Sequence, residues 1–115
     1  MQIKIKRVYD PWEKEDGYRI LVDRLWPRGI KKEDLKLDEW AKHLAPSTEL
    51  RKWFNHEPER FEEFSERYHK ELKEHQTDTD KIRKIAQKQP VTLLYASREQ
   101  KYNQATVLLE YLRSR

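Results

Sequence analysis

The chain has 115 residues, 40% of them charged and 36% hydrophobic, with a formal net charge of +4. That length bounds residues 1–115 to a single α/β domain with one small core, for which four Trp, six Tyr and three Phe supply bulk. Periodic apolar residues and modest net charge exclude a disordered chain, and the lack of cysteine excludes disulfides, thiol catalysis and zinc–cysteine sites. With no apolar run of membrane length and no signal-peptide block, the expectation is a cytoplasmic protein without a membrane partner.

In chain order, residues 2–8 alternate, with Ile3 and Ile5 on one side and Lys4 and Lys6 on the other, which predicts a strand with one covered face. Asp10-Pro11 and Glu15-Asp16-Gly17 bracket a polar loop. Tyr18 to Leu25 reads as a second strand, with Ile20-Leu21-Val22 suited to a sheet interior and Pro27 and Gly29 as terminators. Lys31 to Lys36 suits a short helical turn. Asp38 to Ala45 has helical spacing at Trp40 and Leu44, with a short extended segment as the alternative.

Ser47 is a good N-cap for a helix carrying Leu50, Trp53 and Phe54 on one face, and Pro58 suits the first turn of the next. Phe61, Phe64, Tyr68 and Leu72 then recur at three- and four-residue steps, an amphipathic helix. Gln76 to Asp80 reads as a polar break, with Asp78 or Thr79 capping a helix that carries Ile82, Ile85 and Ala86 and closes before Pro90. Val91 to Ala96 is a buried strand and Ser97 to Tyr102 a loop. Asn103 caps a last helix whose Ala105, Val107, Leu108, Tyr111 and Leu112 point inward. This alternation predicts an α/β layered fold with a small, mainly parallel sheet flanked by helices.

Ligands of open α/β sheets collect beyond the carboxyl ends of the strands. Here the second strand ends in Asp23-Arg24-Leu25-Trp26-Pro27-Arg28-Gly29, and the last apolar strand in Tyr95-Ala96-Ser97-Arg98, with Asn103 opening the helix beyond. If the two strands are parallel neighbours, one cleft collects Arg24, Arg28 and Arg98, the first N–H groups of the last helix, and Trp26 and Tyr95 as stacking faces. That is the outline of an anion or nucleotide pocket. The competing reading makes Asp23 and Arg24 members of structural ion pairs, Trp26 a core residue and Pro27-Arg28-Gly29 a plain turn. Arg51 and His56, outside the inward run of their helix, fit the same cleft. His56 suits an acid or base there, or a cap on the helix C-terminus. The candidate ligand-binding residues are therefore Arg24, Trp26, Arg28, Arg51, His56, Tyr95, Ser97 and Asn103, and no catalytic residue is assignable.

Other chemistries lack their patterns. His43, His56, His69 and His75 have no metal-ligand spacing, and His69 and His75 read as solvated helix positions. Two glycines exclude GxGxxG and phosphate-loop motifs, so neither metal nor cofactor is expected. Ser47 or Ser97 with His56 and Asp23 makes a triad only on paper, since no nucleophile elbow accompanies it. Residues 81–115 hold eight basic and two acidic side chains, which leaves open a nucleic-acid partner. Exposed Trp12, Trp26 or Trp40 would instead suit a protein-interaction module.

The segments RVYD (7–10), RILVDRLWPRG (19–29), LDEWAKHLAPS (37–47), LRKWFNHEPERFEEF (50–64), RYHKEL (67–72) and VTLLYAS (91–97), with Asn103, resemble the YeaO-like branch of the domain of unknown function 488 family. The resemblance runs from Arg7 to Leu112 and implies a small cytoplasmic α/β protein of prokaryotes, with no established activity. It marks Arg24, Trp26, Pro27, Arg28, Gly29, Trp40, Pro46, Ser47, Arg51, Trp53, Phe54, His56, Tyr95 and Asn103 as motif positions. Longer relatives carry a cysteine- and histidine-containing motif after the last apolar strand. The matching stretch here, YASREQKYNQA, has no cysteine, so that chemistry does not carry over.

Overall fold

Five consecutive buried side chains, Val-Thr-Leu-Leu-Tyr, suit only a strand that is paired on both edges and covered on both faces. The computed structural model, which describes residues 1–114, places that strand inside the sheet. Strands β1 (Ile3–Arg7), β2 (Tyr18–Leu21), β3 (Glu39–Trp40) and β4 (Val91–Tyr95) lie in the order β1-β4-β2-β3, all parallel. Leu93 pairs with Ile5 on one side and Ile20 on the other. Helices α1 (Thr48–Phe54), α2 (Phe61–Lys73), α3 (Gln76–Lys88) and α4 (Gln104–Arg113) complete the α/β fold. None of them is long and apolar enough to cross a membrane.

Period-two alternation divides the core between the two faces of the sheet. Ile20, Val22, Leu93 and Tyr95 pack with Phe54, Phe64, Tyr68, Leu72, Ile82 and Leu108 of the helices. Leu21 and Leu94 turn the other way, onto Val8 and Leu35, and Trp26, Ile30, Leu37 and Trp40 cover them. A long connection thus does on one face what helices do on the other.

Three local expectations are corrected. The second strand ends at Leu21 rather than Leu25. Val22 N–H still donates to Leu94 O at 3.0 Å, but the next N–H across the gap, that of Ala96, goes to the Asp23 side chain. Residues 76–80 are the first turns of α3, which starts directly after His75 without a side-chain cap. Thr79 is buried there, and Asp78 lies 3.2 Å from His43. His69 is half-buried against the Tyr111 ring, with Nε2 lacking a hydrogen-bond partner, not a solvated position. Residues 38–45 realise both alternatives, two residues of strand followed by a 3-10 turn over Lys42–Leu44.

The amino ends of the strands are tied together by Asp16. Its fully buried carboxylate receives Lys6 at 3.0 Å, Lys4 at 3.3 Å and Arg19, and its carbonyl accepts the Thr92 hydroxyl at 2.7 Å. Residues of β1, β2 and β4 therefore meet on one residue. The adjacent Gly17 (φ +65°) has no room for a side chain, since a Cβ would lie 2.2 Å from Pro90 O. Burial pushes the Asp16 carboxyl up, but the Glu13 N–H, Lys6, Arg19 and Lys4 more than offset it, to about 2.

Asp16→Asn is expected to cost roughly 3–5 kcal/mol at pH 7, because Arg19 would remain buried without a counter-charge and Lys6 would keep only the exposed Glu13. Since the folded-state value lies below the unfolded one, this contribution is full above about pH 4 and is lost as pH falls toward 2. Urea unfolding of both proteins at pH 7 and at pH 2.5 checks it: the gap in stability should shrink at the lower pH.

Candidate functional site

Because β2 and β4 are parallel neighbours, their carboxyl ends open on the same side of the molecule. Asp23, two residues past β2, joins them. Its Oδ2 accepts the Ala96 N–H at 2.9 Å, its Oδ1 accepts Gln104 Nε2 from the start of α4, and its carbonyl accepts Trp40 Nε1 at 2.8 Å. No cation pairs with this carboxylate among the described residues. Burial pushes it up, the Ala96 N–H and Gln104 only partly counter this, and it stands at about 6.

Arg24 is spent on backbone rather than on an acid. Its Nε donates to Pro46 O at 3.1 Å and its Nη2 to Ala45 O at 3.2 Å. That brace fixes the chain just ahead of α1, where Ser47 accepts the Leu50 N–H and donates to Glu71 at 2.7 Å. The short α1 then carries Arg51 outward and ends in two successive left-handed residues, Asn55 (φ 47°) and His56 (φ 55°). A non-glycine residue held there costs on the order of 1–3 kcal/mol, a strain that clusters at functional positions. Asn55, not His56, is the C-cap; His56 is exposed beside the Phe54 ring.

Arg28 sits in a turn braced from both sides. Tyr9 Oη donates to Arg28 O at 3.0 Å, Trp26 Nε1 donates to Ile30 O at 2.6 Å, and Gly29 (φ +78°) makes the reversal. From the end of β1, Arg7 donates to Ala96 O and Ser97 O at 3.1 and 3.0 Å. The loop before α4 is bonded within itself: Ser97 Oγ accepts the Glu99 N–H, Glu99 accepts the N–H groups of Lys101 and Tyr102, and Asn103 caps the helix through Thr106 N–H.

These elements enclose a cleft of about 690 Å³, within the size range of small-molecule sites. Its charged lining is Arg7, Arg24, Arg28, Arg51 and Arg98 against a single acid, Asp23. None of the five arginines has an ion pair, and the side chains of Arg28, Arg51 and Arg98 have no hydrogen bond within the described residues. Of the competing reading, the ion pairs of Asp23 and Arg24 are absent among the described residues, whereas Trp26 does pack on the smaller core and residues 27–29 do form a turn.

Of the residues singled out from sequence, Arg24, Trp26, Arg28, Arg51, His56, Ser97 and Asn103 line the cleft together. Tyr95 does not; it is 3% exposed and packs into the core on the helix side of the sheet. Sequence reasoning missed Arg7, Tyr9 and Gln104, which also line it. The signal for the first two was the end of β1, whose place beside β4 the pattern of residues did not reveal. No group of three His, Asp or Glu able to hold a metal occurs among the described residues.

Over residues 2–115 the chain matches the family DUF488-N3i, described as the inactive DUF488-N3 subclade. It is 56% identical over 114 residues, 99% of each chain, to the uncharacterized protein YeaO of Escherichia coli (strain K12). To the uncharacterized protein Rv3073c of Mycobacterium tuberculosis (strain ATCC 25618 / H37Rv) it is 41% identical over 114 residues, 99% of this chain and 96% of the relative. No solved structure matches. The chain belongs to the DUF488-N3i family, a YeaO-like group of unknown function, in agreement with its motifs.

A carboxyl-detected NMR titration is expected to place the Asp23 midpoint near pH 6, with that transition lost in Asp23→Asn. The folded-state value lies above the unfolded 3.8, so the folded chain holds the extra proton between about pH 4 and 6, and stability from this group falls as pH rises through that window. A midpoint near 4 would mean the carboxylate is solvated.

Proposed function

We propose that this DUF488-N3i member binds a small anionic ligand, a nucleotide or another phosphate-like compound, in the arginine-lined cleft beyond the strand ends. One observation carries the reading: five arginines converge on one concave site with no ion pair among them and only Asp23 as an acid. Guanidinium forks recognise phosphate and carboxylate in bidentate fashion, and a cleft of one sign concentrates anions. Arg28, Arg51 and Arg98 have their donors available, whereas Arg7 and Arg24 contribute charge while holding backbone.

Binding, rather than turnover, suits both the family's description as an inactive subclade and the site itself. His56 has no hydrogen-bonded partner to orient it as an acid or base, and the Ser97 hydroxyl is engaged by the Glu99 N–H. The alternative of a nucleic-acid surface on the basic C-terminal third has less support. Arg83 is spent on Leu112 O, Tyr111 O and Asp80, Arg113 on Ile3 O, and Lys81 lies 3.9 Å from Glu39. An interaction module anchored on tryptophan rests on Trp12 alone, which is exposed under the Lys36 ammonium, while Trp26 and Trp40 are half-buried against each other.

Thermal-shift and calorimetric titrations with pyrophosphate, nucleotides, sugar phosphates and dicarboxylates test the reading. At least one is expected to bind, with affinity falling roughly 10- to 100-fold in Arg28→Ala and in Arg51→Ala, as for loss of a charge-assisted contact. Lys84→Ala, on the exposed face of α3, should leave it unchanged. If no anion stabilises the wild type more than the arginine variants, the proposal is wrong.

A further inference from the structure

The cleft is positive at its exposed positions, but its inner wall has the opposite chemistry. Asp23 and Gln104 are both partly buried, and both line it. Gln104 spends its Nε2 on Asp23, which leaves its Oε1 without a protein donor among the described residues. Asp23 Oδ1 and Oδ2 each take one N–H and keep a further lone pair. Apart from the second N–H of Gln104 Nε2, the pair offers acceptors, next to a negative charge above pH 6. A phosphate is repelled there and is drawn to Arg28 and Arg51. What fits against Asp23 and Gln104 is a group that donates N–H or O–H.

The cleft also carries rings. Tyr9, Trp26 and Tyr102 line the same cleft, and Tyr9 is 47% exposed although its hydroxyl is fixed on Arg28 O. Arg7 lies over one face of the Tyr9 ring at 5.0 Å and Lys101 over one face of Tyr102 at 5.4 Å, and the opposite face of such a ring suits a flat partner such as a base. The cleft is also larger than an inorganic anion needs, which leaves room for an anion that carries a body.

Resting on the anion-binding reading above, we propose that the cleft takes a nucleoside phosphate. Its phosphate lies on Arg28 and Arg51, and an amino or imino N–H of its base is read by the Asp23–Gln104 pair beside the Trp26 and Tyr102 rings. Every nucleobase carries such an N–H, and none is an anion at neutral pH. A free nucleotide and the phosphorylated end of a strand both present these groups.

Isothermal titration at pH 8 with nucleoside 5′-diphosphates, ribose 5-phosphate, pyrophosphate and a 5′-phosphorylated tetranucleotide tests this. At least one nucleoside diphosphate is expected to bind tenfold or more tightly than ribose 5-phosphate and pyrophosphate. Gln104→Leu should bring it down to the level of ribose 5-phosphate while leaving pyrophosphate within about twofold, and Asp23→Asn should abolish the preference over ribose 5-phosphate while pyrophosphate, relieved of a repelling charge, binds no more weakly. Tyr102→Leu, which keeps the apolar body and removes the π-face, gives a third variant, away from the strand ends, and should also reduce nucleotide binding selectively. A tetranucleotide that binds more tightly than the diphosphates identifies a strand end as the source, and one that binds no better identifies the free nucleotide; either supports the inference. If ribose 5-phosphate or pyrophosphate matches the nucleotides in the wild type, or all three variants keep the preference for a base, the base subsite is wrong and the anion cleft stands. If none of the four probes binds, the anion reading falls and this inference with it.

Discussion

The seating of β4 between β1 and β2, parallel to both, is the constraint from which the rest of the molecule follows. Its five buried residues leave it no exposed edge and no polar face, so both neighbours and both covering layers are obligatory. Parallel pairing on both edges sends all the carboxyl ends one way and forces every connection back across the sheet. One connection, 22–38, covers a face without a helix and arrives at β3; the other brings α1, α2 and α3 over the opposite face. The cleft is the place where these returns leave a gap above the three strand ends that meet there.

Two aspartates at opposite ends of β2 show how the same residue type is put to different use. Asp16, two positions before the strand, is wholly buried and yet strongly acidic, because three cations and an N–H converge on it. Asp23, two positions after it, is less buried and yet weakly acidic, because only neutral donors reach it. Burial pushes both carboxyls up, and only at Asp16 do the donors outweigh it. What separates them is the supply of charge: lysines alternate along β1 toward the amino end, whereas the arginines at the carboxyl end direct their forks to carbonyls or to solvent.

Much of this was legible in the residues. Period-two alternation found β1 and the interior of β2, the apolar run found β4, and Ser47 and Asn103 marked the starts of α1 and α4 through the hydroxyl and amide that cap them. The site was legible because strand ends in an α/β sheet are where ligands gather, and two such ends were rich in arginine. The remainder depended on contacts distant in sequence. Nothing local places β1 beside β4, so Arg7 and Tyr9 could not be assigned. A carboxylate beside an arginine in sequence reads as an ion pair until the backbone turns the two side chains onto different partners, as Asp23 and Arg24 are turned. The start of α3 failed for a simpler reason. Polar residues resembling a break are helical here because α2 ends only two residues earlier, leaving no length for a loop.

The manner in which the arginines are held bears on why they are there. An arginine kept for stability usually finds a carboxylate, as Arg19 and Arg83 do in this chain. Arg7 and Arg24 instead donate to peptide carbonyls, which satisfies their geometry and leaves their charge uncancelled. Three more arginines beside them are not satisfied at all within the described residues. Mutual repulsion among such groups opposes folding, and local rules are broken in this way mainly at functional sites. Acidic side chains were available to neutralise the cleft, since the segment 57–75 alone holds seven, yet on α2 Glu62 and Glu66 are exposed and Glu63 pairs with Arg67. The charge is therefore concentrated in a concave place, where the proposed anion would cancel it.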